Sequence, residues 1–339
     1  MKKIFFFAAA AATMMLASCN KEMGTQMDGP MKMVDATVQI VGTPTTRVTD
    51  ATYADESKVN DLQVYVFDAE GALENYYPAG AATSVTVTVS AGEKTIWAVV
   101  NAPATTVSSL SELKEKATLL ASNGRDNFIM TGSVTQELTD GGTVPITVKR
   151  IVARVAINHI ETNFKGSRAN LELPINAIYL INVAADNNLD VSMSAPAEWL
   201  NKLGYSTNAC DALLYDSIEG VTVKNNVLNE AGEIVTDNSY KVEHAFYPYP
   251  NPIVEETYAD EWSPRHTMLV VEVTYQNARK YYPIELPVLE RNKTYTIEKL
   301  TLTRLPGDLP YKPIETGDAN VVITVNDWET GYVWTNLVI

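Results

Sequence analysis

Apolar and polar residues alternate along most of this chain, and that alternation restricts it to folds built from strands with one buried face. Leu62, Val64 and Val66 share one face of such a segment, and three valines alternate with threonines in residues 84–90. Further strands are expected in residues 94–100, 176–183, 267–275, 280–289, 294–303 and 320–328, which Gly, Pro, Asn or Asp clusters separate. The pattern predicts a mainly β protein made of two antiparallel β-sandwiches.

The length of the chain indicates more than one domain. Roughly 290 residues follow a short leader, and single hydrophobic cores seldom grow past about 250 to 300 residues. We expect one domain at residues 48–148 and a second at 149–339, because a new strand pattern opens at Lys149.

Two helices are predicted within these domains. Ser109 and Glu112 have the spacing of a capping box at the start of the first helix. The apolar face that follows consists of Leu110, Leu113, Ala117 and Leu120. A second, shorter helix is expected at residues 197–203.

The first residues carry an export signal. Two lysines precede an apolar run over residues 4–16, which is too short to span a bilayer but fits a signal peptide at residues 1–18. Leu16-Ala17-Ser18-Cys19 looks like the lipobox of a bacterial lipoprotein, so Cys19 is expected to carry a lipid such as palmitate. The alternative is an ordinary secreted protein with a cysteine at this position. Once Cys19 is acylated, Cys210 has no partner for an internal disulfide.

The charge balance excludes several classes of partner. The chain has 26 basic and 41 acidic residues, and residues 1–47 hold 5 and 3 of these, so the remainder has a net charge of −17. Such a charge repels nucleic acid and anionic lipid.

Sequence motifs for catalysis and for cofactors are missing. The three histidines lie in separate segments without metal-ligand spacing, and no glycine-rich phosphate loop occurs. Cys210 has no basic neighbour in sequence that would activate its thiol. The acidic pairs at 255–256 and 260–261 are interpreted as a solvated loop, with a calcium site or a carboxylate pair as alternatives. We therefore predict no enzyme activity, no metal site and no cofactor.

Both ends of the chain contain segments suited to strand exchange. Near the start, Val34, Ala36, Val38 and Ile40 alternate with polar residues, and a polar stretch follows that an endoprotease can enter between Arg47 and Val48. At the other end the chain runs to an apolar stretch that has to be buried, in its own domain or in another molecule. The apolar residues of this tail are Tyr332, Val333, Trp334, Leu337, Val338 and Ile339.

The order of these features resembles the fimbrillin family of bacterial lipoprotein pilins, especially the shaft subunits of major and minor fimbriae. The likeness starts with the lipobox Cys19, a short strand and Arg47, and it continues to Met130-Thr131-Gly132 and Arg291-Asn292-Lys293-Thr294-Tyr295. Other matching stretches are residues 55–68, 92–101, 144–154 and 321–328. Each motif is modest alone, but together they cover nearly the whole chain.

The resemblance implies two transthyretin-like β-sandwich domains and a mechanism of assembly. A lipoprotein precursor with propeptide 19–47 reaches the outer membrane, and an Arg-specific protease cuts it between Arg47 and Val48. The leading strand then leaves its groove, and the C-terminal strand of an identical or related pilin subunit fills it. The product is a cell-surface fimbrium that serves adhesion.

Three alternatives remain open from the sequence. The tail completes its own second domain, with Arg47 merely a surface residue. A second alternative is a glycan-binding or pilus-tip adhesin lipoprotein that uses the aromatic loop at residues 246–262. The third is an acidic glycan hydrolase with carboxylates from distant loops, which nothing positive favours.

Overall fold

The computed structural model describes residues 32–41, 56–192, 195–253, 258–314, 326–327, 332–334 and 337–339. In these parts of the chain strands dominate, and only two short α-helices occur, α1 (Leu110–Lys114) and α2 (Asp211–Leu214). The predicted mainly β, sandwich-type architecture is confirmed. No helix among the described residues is both long and apolar enough to cross a membrane.

The first part of the chain forms a sandwich of two sheets. Its strands are β1 (Met33–Val41), β2 (Leu62–Phe67), β3 (Leu73–Gly80), β4 (Ser84–Ser90), β5 (Gly92–Val100), β6 (Ala117–Leu119), β7 (Met130–Leu138), β8 (Gly142–Thr147) and β9 (Lys149–Arg150). The sheet β4-β1-β8 lies against the sheet β3-β2-β5-β7-β9, and one apolar cluster, which includes Val38, Val64 and Val87, lies between them.

The two sheets approach each other very closely at one residue. Gly132 lies in β7, and a Cβ atom there would stand 2.2 Å from the carbonyl oxygen of Thr147, at the end of β8. Any side chain would force the backbone apart, which gives the Met130-Thr131-Gly132 motif a physical reason.

The remaining strands build further sheets around a larger core. They are β10 (Arg154–Ile157), β11 (Ile160–Thr162), β12 (Leu173–Ile181), β13 (Val183–Ala184), β14 (Asp186–Asn188), β15 (Trp199–Leu200), β16 (Tyr215–Val223), β17 (Val227–Leu228), β18 (Ile234–Thr236), β19 (His244–Phe246), β20 (Met268–Tyr275), β21 (Ala278–Glu285), β22 (Lys293–Ile297), β23 (Leu300–Leu302), β24 (Asn326–Asp327), β25 (Tyr332–Trp334) and β26 (Leu337–Val338). The sheet β16-β12-β20-β21 is antiparallel, whereas β10 and β11 pair in parallel with β22 and β23.

The interpretation of β2 as a half-buried strand is wrong, because all six of its residues are buried. Leu62, Val64 and Val66 face the sandwich, while Tyr65 and Phe67 on the opposite face join the larger core with residues of the second half of the chain. The domain boundary at 148/149 stays a prediction.

The two predicted helices have different outcomes. Ser109 is the N-cap of α1, and its hydroxyl accepts a hydrogen bond from the Glu112 amide at 3.2 Å, as the capping-box spacing indicates. The helix ends at Lys114, and Ala117 already belongs to β6. The helix expected at residues 197–203 is wrong, because Trp199 pairs with Ala184 in a strand.

Candidate strand-exchange site

Strand β1 is the middle strand of its sheet. It pairs antiparallel with β4 over Met33–Gln39 and parallel with β8 over Ala36–Val41. Among the described residues, β4 and β8 have no other partner strand in this sheet. Departure of β1 would therefore leave two unpaired strand edges facing each other across one slot.

The inward face of β1 is apolar and closed off from solvent. The side chains of Val34, Ala36, Val38 and Ile40 are 2%, 2%, 0% and 6% exposed, which confirms the strand and its alternation. The walls of the slot that they fill include Val87 and Val89 of β4 and Val144 and Ile146 of β8.

Further hydrogen bonds near both ends of β1 hold it to the segments on either side. The Thr88 hydroxyl donates to a carboxylate oxygen of Asp35 at 2.6 Å, and the Asp35 carbonyl accepts from the Gly141 amide at 2.8 Å. Near the other end, the Ile40 amide donates to the carbonyl of Thr83 at 2.9 Å. The strand is thus held along its length in the single chain.

The chain that follows the expected cut is anchored by a buried cluster of charges. Glu56 is 1% exposed, and its carboxylate accepts a hydrogen bond from the hydroxyl of Tyr247 and lies 3.6 Å from Nε of Arg154. Nε of Arg150 donates to the Glu56 carbonyl at 2.9 Å, and a second carboxylate, that of Glu243, also binds Arg154. These contacts tie Glu56 to residues about 100 to 190 positions further along the chain.

Burial shifts the pKa values of two groups in this charge cluster. It raises the pKa of Tyr247, whose hydroxyl therefore stays a hydrogen-bond donor, and it lowers the pKa of Arg150 to about 10. Arg150 therefore keeps its charge at neutral pH.

Asn101 fixes the next few residues. Its side-chain oxygen accepts from the amides of Asn60 and Asp61 at 2.8 and 3.2 Å, and its amide nitrogen donates to the carbonyls of Lys58 and Phe128. The segment between Glu56 and β2 is therefore held by its own contacts, independently of β1.

The C-terminal tail has a place in its own chain. Strand β25 pairs in parallel with β22, and β26 pairs in parallel with β23. Each of the two lies at an edge of its sheet. Leu337 and Ile339 are 3% and 4% exposed, and Val338 between them is partly exposed. In the single chain the tail thus occupies the position that the alternative interpretation gave it.

Other residues that the sequence singled out have mixed outcomes. Cys19, Arg47 and Val48 lie outside the described residues. The rings of Phe246, Tyr247 and Tyr249 are 0% exposed, so they offer no stacking surface to a glycan and do not support that alternative.

The thiol of Cys210 is buried, and burial raises its pKa to about 11, which agrees with a structural role. Two of the histidines are engaged structurally: His244 lies 2.8 Å from Asp216, and His266 lies 3.0 Å from Glu285. Within the described part of the chain no cluster of three potential metal ligands exists.

Comparisons with known proteins agree with this architecture. The family model described as major fimbrial subunit protein (FimA) matches residues 33–175, which include β1, β4 and β8. The major fimbrium subunit FimA type-2 of Porphyromonas gingivalis is 25% identical over 97% of this chain and 98% of its own length. These matches show that the chain is similar to fimbrial subunits, and they support a pilin of the fimbrillin family.

Solved structures show that the chain shares its fold with other bacterial proteins. A putative cell adhesion protein from Bacteroides eggerthii superposes with a TM-score of 0.60 at 16% identity, covering 91% of this chain and 99% of the other. A fimbrilin from Porphyromonas gingivalis gives a TM-score of 0.55 at 16% identity, over 83% and 93% of the two chains. At these identities the likeness shows a shared fold.

The sequence analysis missed the charged anchor of this chain. Arg150 and Arg154 flank a short apolar run within the matching stretch 144–154, to which the sequence assigns no role. Glu56 lies in a polar stretch. The sequence does contain one indication of this cluster, because two arginines lie within an apolar strand pattern. Buried arginines require carboxylates or other acceptors as partners. Arg291 of another motif acts similarly, since its guanidinium donates to the carbonyls of Arg150 and Lys149 and to Thr131.

Proposed function

We propose that this chain is a shaft pilin that polymerises by strand exchange. It is exported as a lipoprotein on Cys19 and held at the outer membrane by its lipid, and an Arg-specific protease cuts it between Arg47 and Val48. The leading strand β1 then leaves, and the C-terminal strand of a neighbouring subunit takes its place. The observation that carries the proposal is that β1 is the middle strand of a three-stranded sheet and directly precedes the segment with Arg47.

The contacts that anchor Glu56 and the residues after it support the proposal that β1 is the segment that leaves. Glu56 and the residues up to β2 are held by Tyr247, Arg154 and Asn101. A cut at Arg47 leaves this anchor on the mature subunit and separates β1 from it. Only the strand that precedes the cut is then released, and the rest of the sandwich keeps its contacts.

The tail is held less extensively than the strand it would replace. β1 is paired along both of its edges, whereas the described parts of the tail, β25 and β26, are each paired along one edge. A strand end with one partner opens more readily than a central strand. The tail is therefore free to exchange at a lower free-energy cost than β1 before the cut.

The sequence of the tail fits the slot in one register. Residues 34–40 read Val-Asp-Ala-Thr-Val-Gln-Ile, and residues 333–339 read Val-Trp-Thr-Asn-Leu-Val-Ile. In this register Val, Thr, Leu and Ile of the tail replace Val, Ala, Val and Ile on the inward face. Three large aliphatic residues at about 1.5 to 3 kcal/mol each would supply on the order of 5 to 10 kcal/mol before the cost of ordering.

The proposal predicts that assembly depends on the cut. Purified precursor is treated with an Arg-specific protease, and the product is imaged by electron microscopy. We expect filaments from the wild-type chain and only monomers from Arg47→Ala, because the uncut chain keeps β1 in its slot.

The matched control is Arg168→Ala, which removes an exposed arginine elsewhere and should leave assembly unchanged. Filaments from the uncut Arg47→Ala chain, or a wild-type product that is cut at Arg47 and stays monomeric, would overturn the proposal.

A further inference from the structure

A small hairpin of the pilin exposes apolar side chains that have no role in its own cores. Its strands are β17 and β18, and Val227, Leu228, Ile234 and Val235 are 50%, 56%, 53% and 60% exposed. Hydrogen bonds order its turn, since the Asn229 amide donates to the Glu233 carbonyl at 2.9 Å and Gly232 takes a φ of +82°. The hairpin is therefore a defined apolar projection.

The base of this hairpin is attached to β11. The Ile160 amide donates to the Tyr240 carbonyl, and the Tyr240 amide donates to the Ile160 carbonyl, both at 2.8 Å. The Asn225 side chain accepts from the Thr162 hydroxyl at 3.0 Å and from the amide of Phe164 at 2.8 Å. Both ends of the hairpin are thus fixed to one strand.

The same sheet carries the end of the C-terminal tail. Its order is β11-β23-β26, so the hairpin base lies on one side of β11 and β26 lies two strands away on the other. Adjacent strands are about 4.8 Å apart, which places the hairpin base roughly 10 to 15 Å from the tail. The edge that the tail vacates on exchange therefore lies in the same sheet as the strand that holds the hairpin.

We propose that the hairpin is a second contact between successive subunits, and that a second copy of this chain covers Val227, Leu228, Ile234 and Val235 in the filament. This inference rests on the proposed function. Four side chains form a patch well below the roughly 800 Å² per partner of a stable interface, so the patch needs a partner that strand exchange already holds. Glu230 and Glu233 in the exposed turn, with the net charge of the chain, disfavour an anionic lipid surface as the occupant.

The test measures whether the hairpin is covered on assembly. Val235→Cys is introduced into the full-length chain with Cys19→Ser, and the rate of maleimide labelling is compared before the cut and in filaments. Cys210 does not compete, because it is buried. We expect labelling at position 235 to slow at least tenfold in filaments, and Leu119→Cys, an equally exposed control on β6, to label at an unchanged rate.

The outcomes separate the two proposals. Filaments in which position 235 labels as fast as in the monomer would overturn the hairpin contact and leave strand exchange intact. If the parent chain is cut at Arg47 and forms no filaments, the proposed function fails, and the hairpin contact fails with it.

Discussion

Val38→Asp is expected to unfold the uncut precursor under conditions in which the wild-type chain is folded. Val38 is completely buried in the middle of β1, within the apolar cluster that includes Val64 and Val144. A carboxylate there has no partner, and an unpaired buried charge destabilises by more than about 4 kcal/mol. Urea denaturation followed by circular dichroism measures the loss. Gln39→Asp, on the exposed side of the same strand, should change stability by less than about 0.5 kcal/mol.

A milder change at the same residue distinguishes the precursor from the filament. Val38→Ala should lower the free energy of unfolding of the precursor by about 2 kcal/mol, because it removes buried methyl groups and leaves a cavity. After the cut β1 is absent from the mature subunit, so filaments made from this variant should melt at the wild-type temperature. A lower melting temperature of these filaments would show that β1 stays in the assembly and would contradict strand exchange.

Glu56→Ala is expected to destabilise both the precursor and the mature subunit by about 3 to 5 kcal/mol. The change removes the carboxylate that faces Arg154 and Tyr247, and it leaves Glu243 to balance the buried positive charges of Arg150 and Arg154. Thermal denaturation of the purified precursor measures the loss. Glu56 lies after the cut, so its effect should persist in filaments, in contrast with Val38→Ala.

Two further variants calibrate this effect. Glu56→Gln keeps an acceptor for the hydroxyl of Tyr247 but loses the charge, so an intermediate loss is expected. Glu70→Ala removes an exposed carboxylate and should leave stability unchanged within about 0.5 kcal/mol. A loss below about 1 kcal/mol for Glu56→Ala would show that the cluster does not anchor the start of the mature chain.

Alternation was enough to predict many of the strands but not their partners. β1, β4 and β5 fall where the pattern places them, because one face of each must leave water. An alternation of apolar and polar residues does not distinguish parallel from antiparallel pairing of strands. The parallel pairs β1 with β8 and β10 with β22 were therefore not predicted. Residues 197–203 contain Asn201 and Leu203 at φ of 50° and 60°, which an α-helix does not allow.

The sequence predicted the apolar segments of the candidate site, but it did not predict which residues contact one another there. The apolar pattern of the tail required burial, and Leu337 and Ile339 are buried. The pattern does not say in which molecule, because the strands of its own chain and the slot of a neighbour offer the same apolar surroundings. The Glu56 cluster joins residues far apart in sequence, and local spacing carries no signal for such contacts.

The location of the tail in the filament tests the account most directly. Leu337→Cys is combined with Val144→Cys, whose position on β8 pairs with Val38 in the single chain, and filaments are treated with a short thiol cross-linker. The account predicts a ladder of covalently joined subunits. The companion pair Leu337→Cys and Leu300→Cys, which are register partners within one chain, should not link once filaments have formed. A link between positions 337 and 300 in filaments, with no ladder from 337 and 144, would contradict the exchange of strands between subunits.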